Sequence, residues 1–388
     1  MNLIAEIKAS LNEQIAPQCN LGTYTTTLMD ADVTNFFGSL LPYNKVNCNE
    51  YPAIMKMEAE CIKFFKCIFH CSDLPKSFGV STNGSSEAIL MACLSLKRGC
   101  RTPGTPNIII SDSAHSSWIN ATRILNIELK EVSFDSASLE TILTHAIDEN
   151  TIGIGVTLGT TSTGIFEPVD EINDYLDNYQ KKYGRIIPIH VDAASGGFIA
   201  PFQYPDLQWD FRLKNVFSIN VSGHKYGMVY PSIGWVFWRD KSLAGQEMKI
   251  EYLKDTFSHF GINFSSPAAY VVAQYYNLRM FGFIGYTEKT KNLFKIKSLI
   301  ESELSKISFL TIISDSGTNR LPVVCWTYNE NYLFDVITKK FEEYGWVVPC
   351  CRISRGNSTR CCRIVVRHNL NTESIDKLIG DIALIHRL

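Results

Sequence analysis

A lysine at the end of a strand-like run is the first candidate for covalent chemistry. The run Ser218–Ser222 alternates small polar residues with β-branched ones, and Gly223 and His224 separate it from Lys225. A lysine that forms a Schiff base must be uncharged, so it needs burial or nearby positive charge, and no acidic residue stands in this turn. The alternative is a solvated surface lysine, but a buried sheet normally ends in a functional crevice.

An aspartate follows a second buried-strand pattern. Ile186–Val191 leads into Asp192, and a small-residue loop follows it. An acid at the end of such a strand needs a cationic partner, and the pyridinium nitrogen of pyridoxal phosphate is one whose protonation makes the ring an electron sink. The alternative is a helix N-cap aspartate. Lys225 and Asp192 together favour pyridoxal phosphate chemistry.

A hydroxyl-rich helix start is a candidate phosphate site. Ser81–Glu87 precedes the apolar-periodic run Ala88–Leu96 and contains Ser85 and Ser86. Backbone N–H groups, two hydroxyls and the positive end of the helix dipole would converge there, as phosphate binding requires. The serines could also simply cap the helix, and the two roles are compatible.

Strand and helix patterns alternate from about residue 78 to about residue 238, which predicts a mostly parallel sheet with helices on both faces. Such a sheet could also hold a dinucleotide, but the glycine fingerprints of dinucleotide and P-loop sites are missing. From about residue 285 a long charged helix, short strands and a last helix predict an α+β appendage. We therefore predict an N-terminal segment at 1–54, a large domain at 55–284 and a small domain at 285–388.

The composition of the chain limits which partners it can bind and in which cellular compartment it is expected. The chain has 388 residues, 45% of them hydrophobic and 20% charged, with a formal net charge of −2. These values predict a globular protein that binds neither nucleic acid nor a membrane. The polar start of the chain and twelve irregularly spaced cysteines predict a reducing, cytoplasmic location. The adjacent pairs Cys350–Cys351 and Cys361–Cys362 lack the spacer of a zinc site, so we predict no metal.

Two stretches carry a resemblance to a known family. HVDAASGGFIAPF at 190–202 and SINVSGHKYGMVYPSIGWVFWRD at 218–240 resemble pyridoxal-phosphate-dependent amino-acid decarboxylases of the glutamate decarboxylase type, and the likeness runs from about Leu21 to about Arg367. It implies a fold-type I (aspartate aminotransferase-like) α/β enzyme, with a large seven-stranded, mostly parallel sheet domain and a small C-terminal α+β domain.

The implied reaction is α-decarboxylation of an L-amino acid, and the leading candidate is the conversion of glutamate to 4-aminobutanoate. Decarboxylation of aspartate, cysteine sulfinate, or an aromatic or basic amino acid remains an alternative. A carbon–carbon or carbon–sulfur lyase on the same scaffold is another, because one pyridoxal fold hosts many reactions. A non-enzymatic descendant is the third, and the retention of Lys225, Asp192 and His115 argues against it.

The resemblance also assigns roles around the cofactor. Lys225 would carry it, Asp192 would hold its ring nitrogen, and His115 would stack on the ring where enterobacterial glutamate enzymes have Gln. Ser265 would reach the phosphate in a neighbouring subunit, which implies a homodimer or a higher homo-oligomer. The full set of implied cofactor contacts is Ser85, Ser86, His115, Thr163, Asp192, Ala194, Ser222, His224, Lys225 and Ser265.

The implied substrate contacts are Thr23, Tyr24, Asn44, Asn47 and Arg363. Arg363 matches the arginine that binds the α-carboxylate, and Thr23 and Asn44 fall where the family holds the distal one. Asn47 replaces a bacterial aspartate and Tyr24 replaces a phenylalanine. Tyr252 begins an irregular 252–263 segment and would be a lid residue or proton donor, with an ordinary packed aromatic as the alternative.

Overall fold

The computed structural model describes residues 2–46, 50–73, 75–134, 139–245, 247–252, 255–314 and 319–387, with the backbone alone at 252 and 255–257. Its helices are α1 (Leu3–Asn12), α2 (Ala31–Leu40), α3 (Pro52–Ile68), α4 (Ser85–Gly99), α5 (Ser117–Ile124), α6 (Leu139–Ala146), α7 (Val169–Tyr183), α8 (Ala200–Gln203), α9 (Ala268–Leu304), α10 (Tyr332–Glu343) and α11 (Thr372–Ile385). Its strands are β1 (Phe78–Thr82), β2 (Asn107–Ser111), β3 (Glu128–Val132), β4 (Thr151–Thr157), β5 (Ile189–Asp192), β6 (Val216–Ser222), β7 (Gly234–Trp238), β8 (Met248–Tyr252), β9 (Asp255–His259), β10 (Leu310–Ile312), β11 (Val323–Tyr328), β12 (Cys350–Arg352) and β13 (Arg360–Val365).

The large sheet has seven strands in the order β1-β7-β6-β5-β4-β2-β3. Strand β7 is antiparallel to both of its neighbours, and the others pair in parallel. Every residue of β2, β4 and β5 is buried, as expected for parallel strands that helices cover on both faces. The predicted α/β fold with a mostly parallel seven-stranded sheet is confirmed.

The carboxyl ends of β4, β5 and β6 meet at one edge of this sheet. Thr157 pairs with Asp192, and Asp192 pairs with Asn220 in the next strand. The three loops that follow these strands therefore leave the sheet side by side, which is where open α/β sheets hold their ligands.

A second, antiparallel sheet has the order β10-β11-β13-β12 and carries Arg363 on β13. Helix α9 connects it to the large domain and contains a break at Gly282, whose φ of 52° lies outside the helical region. The predicted domain limit at 284/285 falls just beyond this break. The domain limits themselves stay a prediction.

Residues 18–27, which we call the strap, connect the small sheet to the edge of the large sheet where β4, β5 and β6 end. The Val365 N–H donates to the Leu21 carbonyl at 2.7 Å. Further along, the Thr26 N–H donates to the His224 carbonyl at 2.7 Å. The strap is therefore fixed at both ends by backbone bonds, one of them within a residue of Lys225.

The segment predicted to be irregular at 252–263 begins instead as a hairpin of β8 and β9. Alternating polar and apolar residues over 248–252 have the period of a strand. In the part of the chain that the structure describes, no helix has the length and apolarity needed to cross a bilayer.

Candidate active site

Asp192 is held rigidly at the end of β5. The carboxylate is buried, and its Oδ1 accepts hydrogen bonds from Asn220 Nδ2 at 3.0 Å and from the Ala194 N–H at 3.2 Å. Trp118 Nε1 donates to Oδ2 at 3.3 Å. Donors on three elements thus fix the carboxylate plane, so the group can meet a cation in one defined orientation.

A histidine behind this carboxylate sets the orientation of Asn220. His190 is fully buried, with Nδ1 2.7 Å from Ser218 Oγ and Nε2 2.7 Å from Asn220 Oδ1. Burial lowers the pKa of His190 to about 4, so the ring is neutral at pH 7. Because Asn220 Oδ1 can only accept, it takes the Nε2–H and leaves the Nδ2 amide to donate to Asp192.

The Lys225 amine lies in the turn after β6. Its Nζ donates to Ser195 Oγ at 3.1 Å and lies 5.2 Å from the centre of the Tyr24 ring. Removal from water lowers the pKa of the amine to about 8, with the Arg363 guanidinium adding to the shift and the Asp192 carboxylate opposing it. A much larger fraction of Lys225 is therefore uncharged near pH 7 than of an ordinary lysine, as nucleophilic use requires.

The Tyr24 side chain lies beside both the Lys225 amine and the Arg363 guanidinium. Its ring centre is 5.5 Å from Arg363 Cζ, and its hydroxyl donates to the Thr161 carbonyl at 2.9 Å. Arg363 donates from Nη1 to the same carbonyl at 2.6 Å and from Nη2 to the Gly22 carbonyl at 3.1 Å. Its Nε is buried and has no partner among the described residues. This N–H can therefore donate to a ligand together with an adjacent Nη N–H.

Two pairs of hydroxyls join the start of α4 to neighbouring elements. Ser85 Oγ lies 2.6 Å from Ser222 Oγ, and Ser86 Oγ lies 2.7 Å from Ser117 Oγ. Ser117 Oγ is also 2.7 Å from His115 Nδ1. The start of α4 is therefore joined to the end of β6 through Ser85, and to Ser117 and His115 through Ser86.

Thr163, Ala194 and His224 lie in the loops that follow β4, β5 and β6. Thr163 is buried with its Oγ1 2.9 Å from Thr160 Oγ1. His224 Nδ1 accepts from the Ile233 N–H at 3.3 Å, and burial with the adjacent Lys225 charge lowers the pKa of His224 to about 4. Burial likewise lowers the pKa of His115.

Asn44 and Ser265 form a separate group. Both are exposed, and Asn44 Nδ2 donates to Ser265 Oγ at 3.4 Å beside the start of α9. Asn44 Oδ1 accepts from the Ser266 N–H at 3.0 Å. Thr23 lies in the strap next to Tyr24, with its Oγ1 2.7 Å from Thr25 Oγ1. Asn47 lies outside the described residues, and of Tyr252 only the backbone, at the end of β8, is described.

Sequence reasoning missed the residues that hold the predicted ones in place: Ser117, Trp118, His190, Ser195 and Asn220. A signal was present for Asn220, because Ser218, Asn220 and Ser222 occupy alternate positions of an otherwise apolar strand and so share one face. No comparable pattern marked Trp118 or Ser195, whose roles depend on contacts between distant elements.

The residues present fit pyridoxal phosphate. Lys225 supplies an amine of lowered pKa, Asp192 a fixed buried carboxylate for a ring nitrogen, and the start of α4 a set of hydroxyls for a phosphate. Gly84 precedes that helix with a φ of 114°, and a Cβ there would lie 3.0 Å from His224 Cε1. A helix start with such backbone freedom suits a close phosphate contact.

Comparisons with known proteins agree with this chemistry. The family model described as the pyridoxal-dependent decarboxylase conserved domain matches residues 4–329. A glutamate decarboxylase of Solanum lycopersicum is 35% identical over 388 aligned residues, which cover 95% of this chain and 77% of that protein. A glutamate decarboxylase of Lactococcus lactis subsp. cremoris is 34% identical, with 93% and 78% covered.

Among solved structures, the glutamate decarboxylase of Lactobacillus brevis superimposes with a TM-score of 0.91 at 30% identity, covering 98% of this chain and 91% of that one. A sphingosine-1-phosphate lyase of Burkholderia pseudomallei, at 19% identity and a TM-score of 0.82, shares the fold. The family match over most of the chain and the fit of the site lead to one conclusion: the chain belongs to the pyridoxal-dependent decarboxylases, which are carboxy-lyases with pyridoxal phosphate as their cofactor.

Proposed function

We propose that this protein converts L-glutamate to 4-aminobutanoate and carbon dioxide. The observation that carries the proposal is the position of Arg363, whose Nε has no partner among the described residues and whose guanidinium lies beside the same Tyr24 ring as the Lys225 amine. An amino acid held by its α-carboxylate at Arg363 would present its amino group towards Lys225. Relatives named glutamate decarboxylase, at 32–35% identity, support glutamate as the substrate.

Pyridoxal phosphate, when bound, supplies an electron sink for the pair released as the bond between Cα and the carboxylate breaks. Lys225 would hold the cofactor through Nζ, and Asp192 would keep the ring nitrogen protonated. Ser85 and Ser86 would bind the phosphate at the start of α4. His115 would cover the ring face, with its Nδ1 oriented by the Ser117 hydroxyl and N–H.

Arg363 would bind the α-carboxylate through Nε–H and the neighbouring Nη–H in two parallel hydrogen bonds. Two other N–H groups donate to the Thr161 and Gly22 carbonyls, so the guanidinium plane is fixed before substrate arrives. A fixed plane sets the direction of the bond that must break, and such preorganisation lowers the barrier without reorganisation at the moment of reaction.

For the distal carboxylate we propose Thr23, Asn44 and Asn47. An asparagine amide donates to a carboxylate without needing a shared proton, so these contacts do not demand an acidic medium. We further propose a homodimer in the cytoplasm. The exposure of Asn44 and Ser265 supports the dimer. Both residues are expected to contact a ligand, and on the surface of one subunit they could reach a ligand bound in the other.

The substrate assignment is tested by incubating the holoenzyme with each common amino acid and with cysteine sulfinate, and identifying products by mass. Glutamate is expected to yield 4-aminobutanoate with a kcat/KM at least about tenfold above that of any other amino acid. A different dominant amine would overturn glutamate while leaving α-decarboxylation intact. A product of carbon–carbon or carbon–sulfur cleavage would overturn the assigned reaction, and Lys225→Ala serves as the inactive control.

A further inference from the structure

Strands β12 and β13 align four cysteines in two cross-strand pairs. Cys350 lies directly opposite Cys362, and Cys351 lies directly opposite Cys361. Successive residues of a strand point to opposite faces of a sheet, so the two pairs project from opposite sides of this ribbon. The pairs have the same composition but different surroundings.

The pair on the side of Tyr24 is chemically quiet. Cys351 Sγ lies 3.6 Å from Cys361 Sγ and 3.7 Å from Ser162 Oγ. Hydrogen bonding to neighbouring thiols, together with burial, raises the pKa of both Cys351 and Cys361. Both therefore remain protonated at neutral pH, and a protonated thiol is a poor nucleophile.

The pair on the side of α10 has the properties of a reactive dithiol. Interaction with the Cys362 thiol and then with the Arg360 guanidinium outweighs burial and lowers the pKa of Cys350 to about 6. Arg360 is itself held in place, with Nη2 2.8 Å from Asp335 Oδ1 and Cζ 4.7 Å from the centre of the Phe334 ring. Cys350 is half-buried, whereas Cys362 is buried. The same interaction raises the pKa of Cys362, so the thiolate of this pair resides on Cys350 while its shielded neighbour stays protonated.

The backbone register allows a bond between Cys350 and Cys362. The Ile353 N–H donates to the Thr359 carbonyl at 3.1 Å, which marks residues 353 and 359 as a hydrogen-bonded pair. Because hydrogen-bonded and non-hydrogen-bonded pairs alternate along an antiparallel ladder, Cys350 and Cys362 form a non-hydrogen-bonded pair. Such pairs have Cα atoms about 4.5 Å apart, within the span of about 4.4–6.8 Å that disulfides bridge.

We propose that Cys350 and Cys362 form a redox-active dithiol that low-molecular-weight disulfides oxidise to a cross-strand disulfide. The Cys350 thiolate attacks one sulfur of the small disulfide, whose S–S bond breaks and releases one thiolate. Cys362 then loses its proton and attacks the Cys350 sulfur, expelling the second small thiolate. The protein loses two protons and two electrons, and the small disulfide takes them up to become two thiols.

The bond would tie the edge strand β12 to β13 immediately beside Arg363. The modification site does not depend on which amino acid the enzyme decarboxylates. Reducing compartments keep structural thiols reduced, and disulfides that form there are mainly transient and redox-sensing. This is the behaviour expected of a pair in which one thiol is half-buried and ionised.

The test uses full-length holoenzyme equilibrated with graded mixtures of reduced and oxidised glutathione, acid-quenched and alkylated. Two double variants are compared with the parent, namely Cys351→Ser with Cys361→Ser, and Cys350→Ser with Cys362→Ser. In the first, trypsin leaves one cysteine in the peptide ending at Arg352 and one in the peptide ending at Arg363. We expect these peptides to become linked, with loss of two hydrogens from the intact mass, reversal by a dithiol reductant, and no such link in the second variant.

A link in the second variant but not in the first would overturn the assignment, as would a glutathione adduct on Cys350 that never resolves or the absence of any oxidation. If the second variant fails to fold, the first decides alone, because only one intramolecular link between its two peptides is possible. Alkylation rates at Cys350 as a function of pH, read from the same peptide, should reach half their maximum near pH 6. A midpoint near pH 9, the value of an unperturbed thiol, would contradict the proposal.

Discussion

His190 Nε2 donates to Asn220 Oδ1 at 2.7 Å, and this bond determines which end of the Asn220 amide faces Asp192. The two residues lie on adjacent parallel strands, with Ser218 and Asn220 in register with His190 and Asp192. A neutral, buried histidine thus acts on the candidate cofactor carboxylate through one intervening amide.

Asn220→Ala should weaken cofactor binding. It removes a 3.0 Å hydrogen bond to a buried carboxylate, and bonds to charged groups contribute about 1.5–3 kcal/mol, so the Kd for pyridoxal phosphate should rise about tenfold or more. Titration of the apoenzyme with cofactor measures this. Asn215→Ala is the matched control, since Asn215 is equally buried but bonds to Asn173, and it should lower stability while preserving cofactor affinity. Equal effects of the two variants on Kd would contradict the assigned role.

Arg363→Lys should raise KM for glutamate more than it lowers kcat. Lysine keeps the charge but loses the planar fork, and truncating one partner of a buried charge pair typically costs about 2 kcal/mol or more, which is roughly 30-fold in affinity. Steady-state kinetics measure both constants. Arg360→Lys is the control, because Arg360 lies on the same strand but faces α10, so the same substitution there should leave KM unchanged. An unchanged KM for Arg363→Lys would remove Arg363 from the carboxylate site.

The rate at which apoenzyme captures pyridoxal phosphate should follow the ionisation of Lys225. The protonated amine cannot attack, so below its pKa the rate should fall about tenfold for each pH unit. Because burial and Arg363 lower that pKa to about 8 from 10.5, the midpoint should lie near pH 8. Arg363→Gln should move the midpoint upward, since a positive neighbour is removed. Stopped-flow absorbance at several pH values measures both, and a midpoint near 10.5 in the parent would contradict the expected environment.

Arg355 should act as a positioning residue for His115. It donates from Nη1 to the Ala114 carbonyl at 2.6 Å, and its Nε lies 2.9 Å from Glu131 Oε2, so a small-domain loop holds the turn that precedes His115. Arg355→Ala should lower kcat/KM about tenfold, in line with bonds to charged groups. It should also raise the pKa of His115, because a nearby positive charge is lost.

Histidine NMR titration, with the His115 signal assigned by its loss in His115→Gln, checks the pKa shift directly. Lys306→Ala, which removes an exposed ion pair with Glu303, is the control and should change neither quantity. A fall in activity with an unchanged His115 pKa would point to a purely structural role for Arg355.

The sequence by itself determined the fold class and the family. Alternating strand and helix patterns indicated the mostly parallel sheet, because full burial leaves strands uniformly apolar while helices keep one polar face. Asp192 and Lys225 were recognisable because Asp192 ends one such strand and Lys225 lies in the turn after another, and this edge is where these sheets bind ligands.

The tertiary structure alone decided which residues act together. Arg363 and Arg367 lie four residues apart, and each keeps an Nε without a partner among the described residues. Arg367 is buried and donates to the Asn20 and Thr25 carbonyls of the strap, whereas Arg363 is only partly buried and lies beside Tyr24. The difference arises from where the strap crosses β13, a contact between residues more than 300 positions apart. Local periodicity carries no information about such crossings, because they are fixed by the packing of the whole chain.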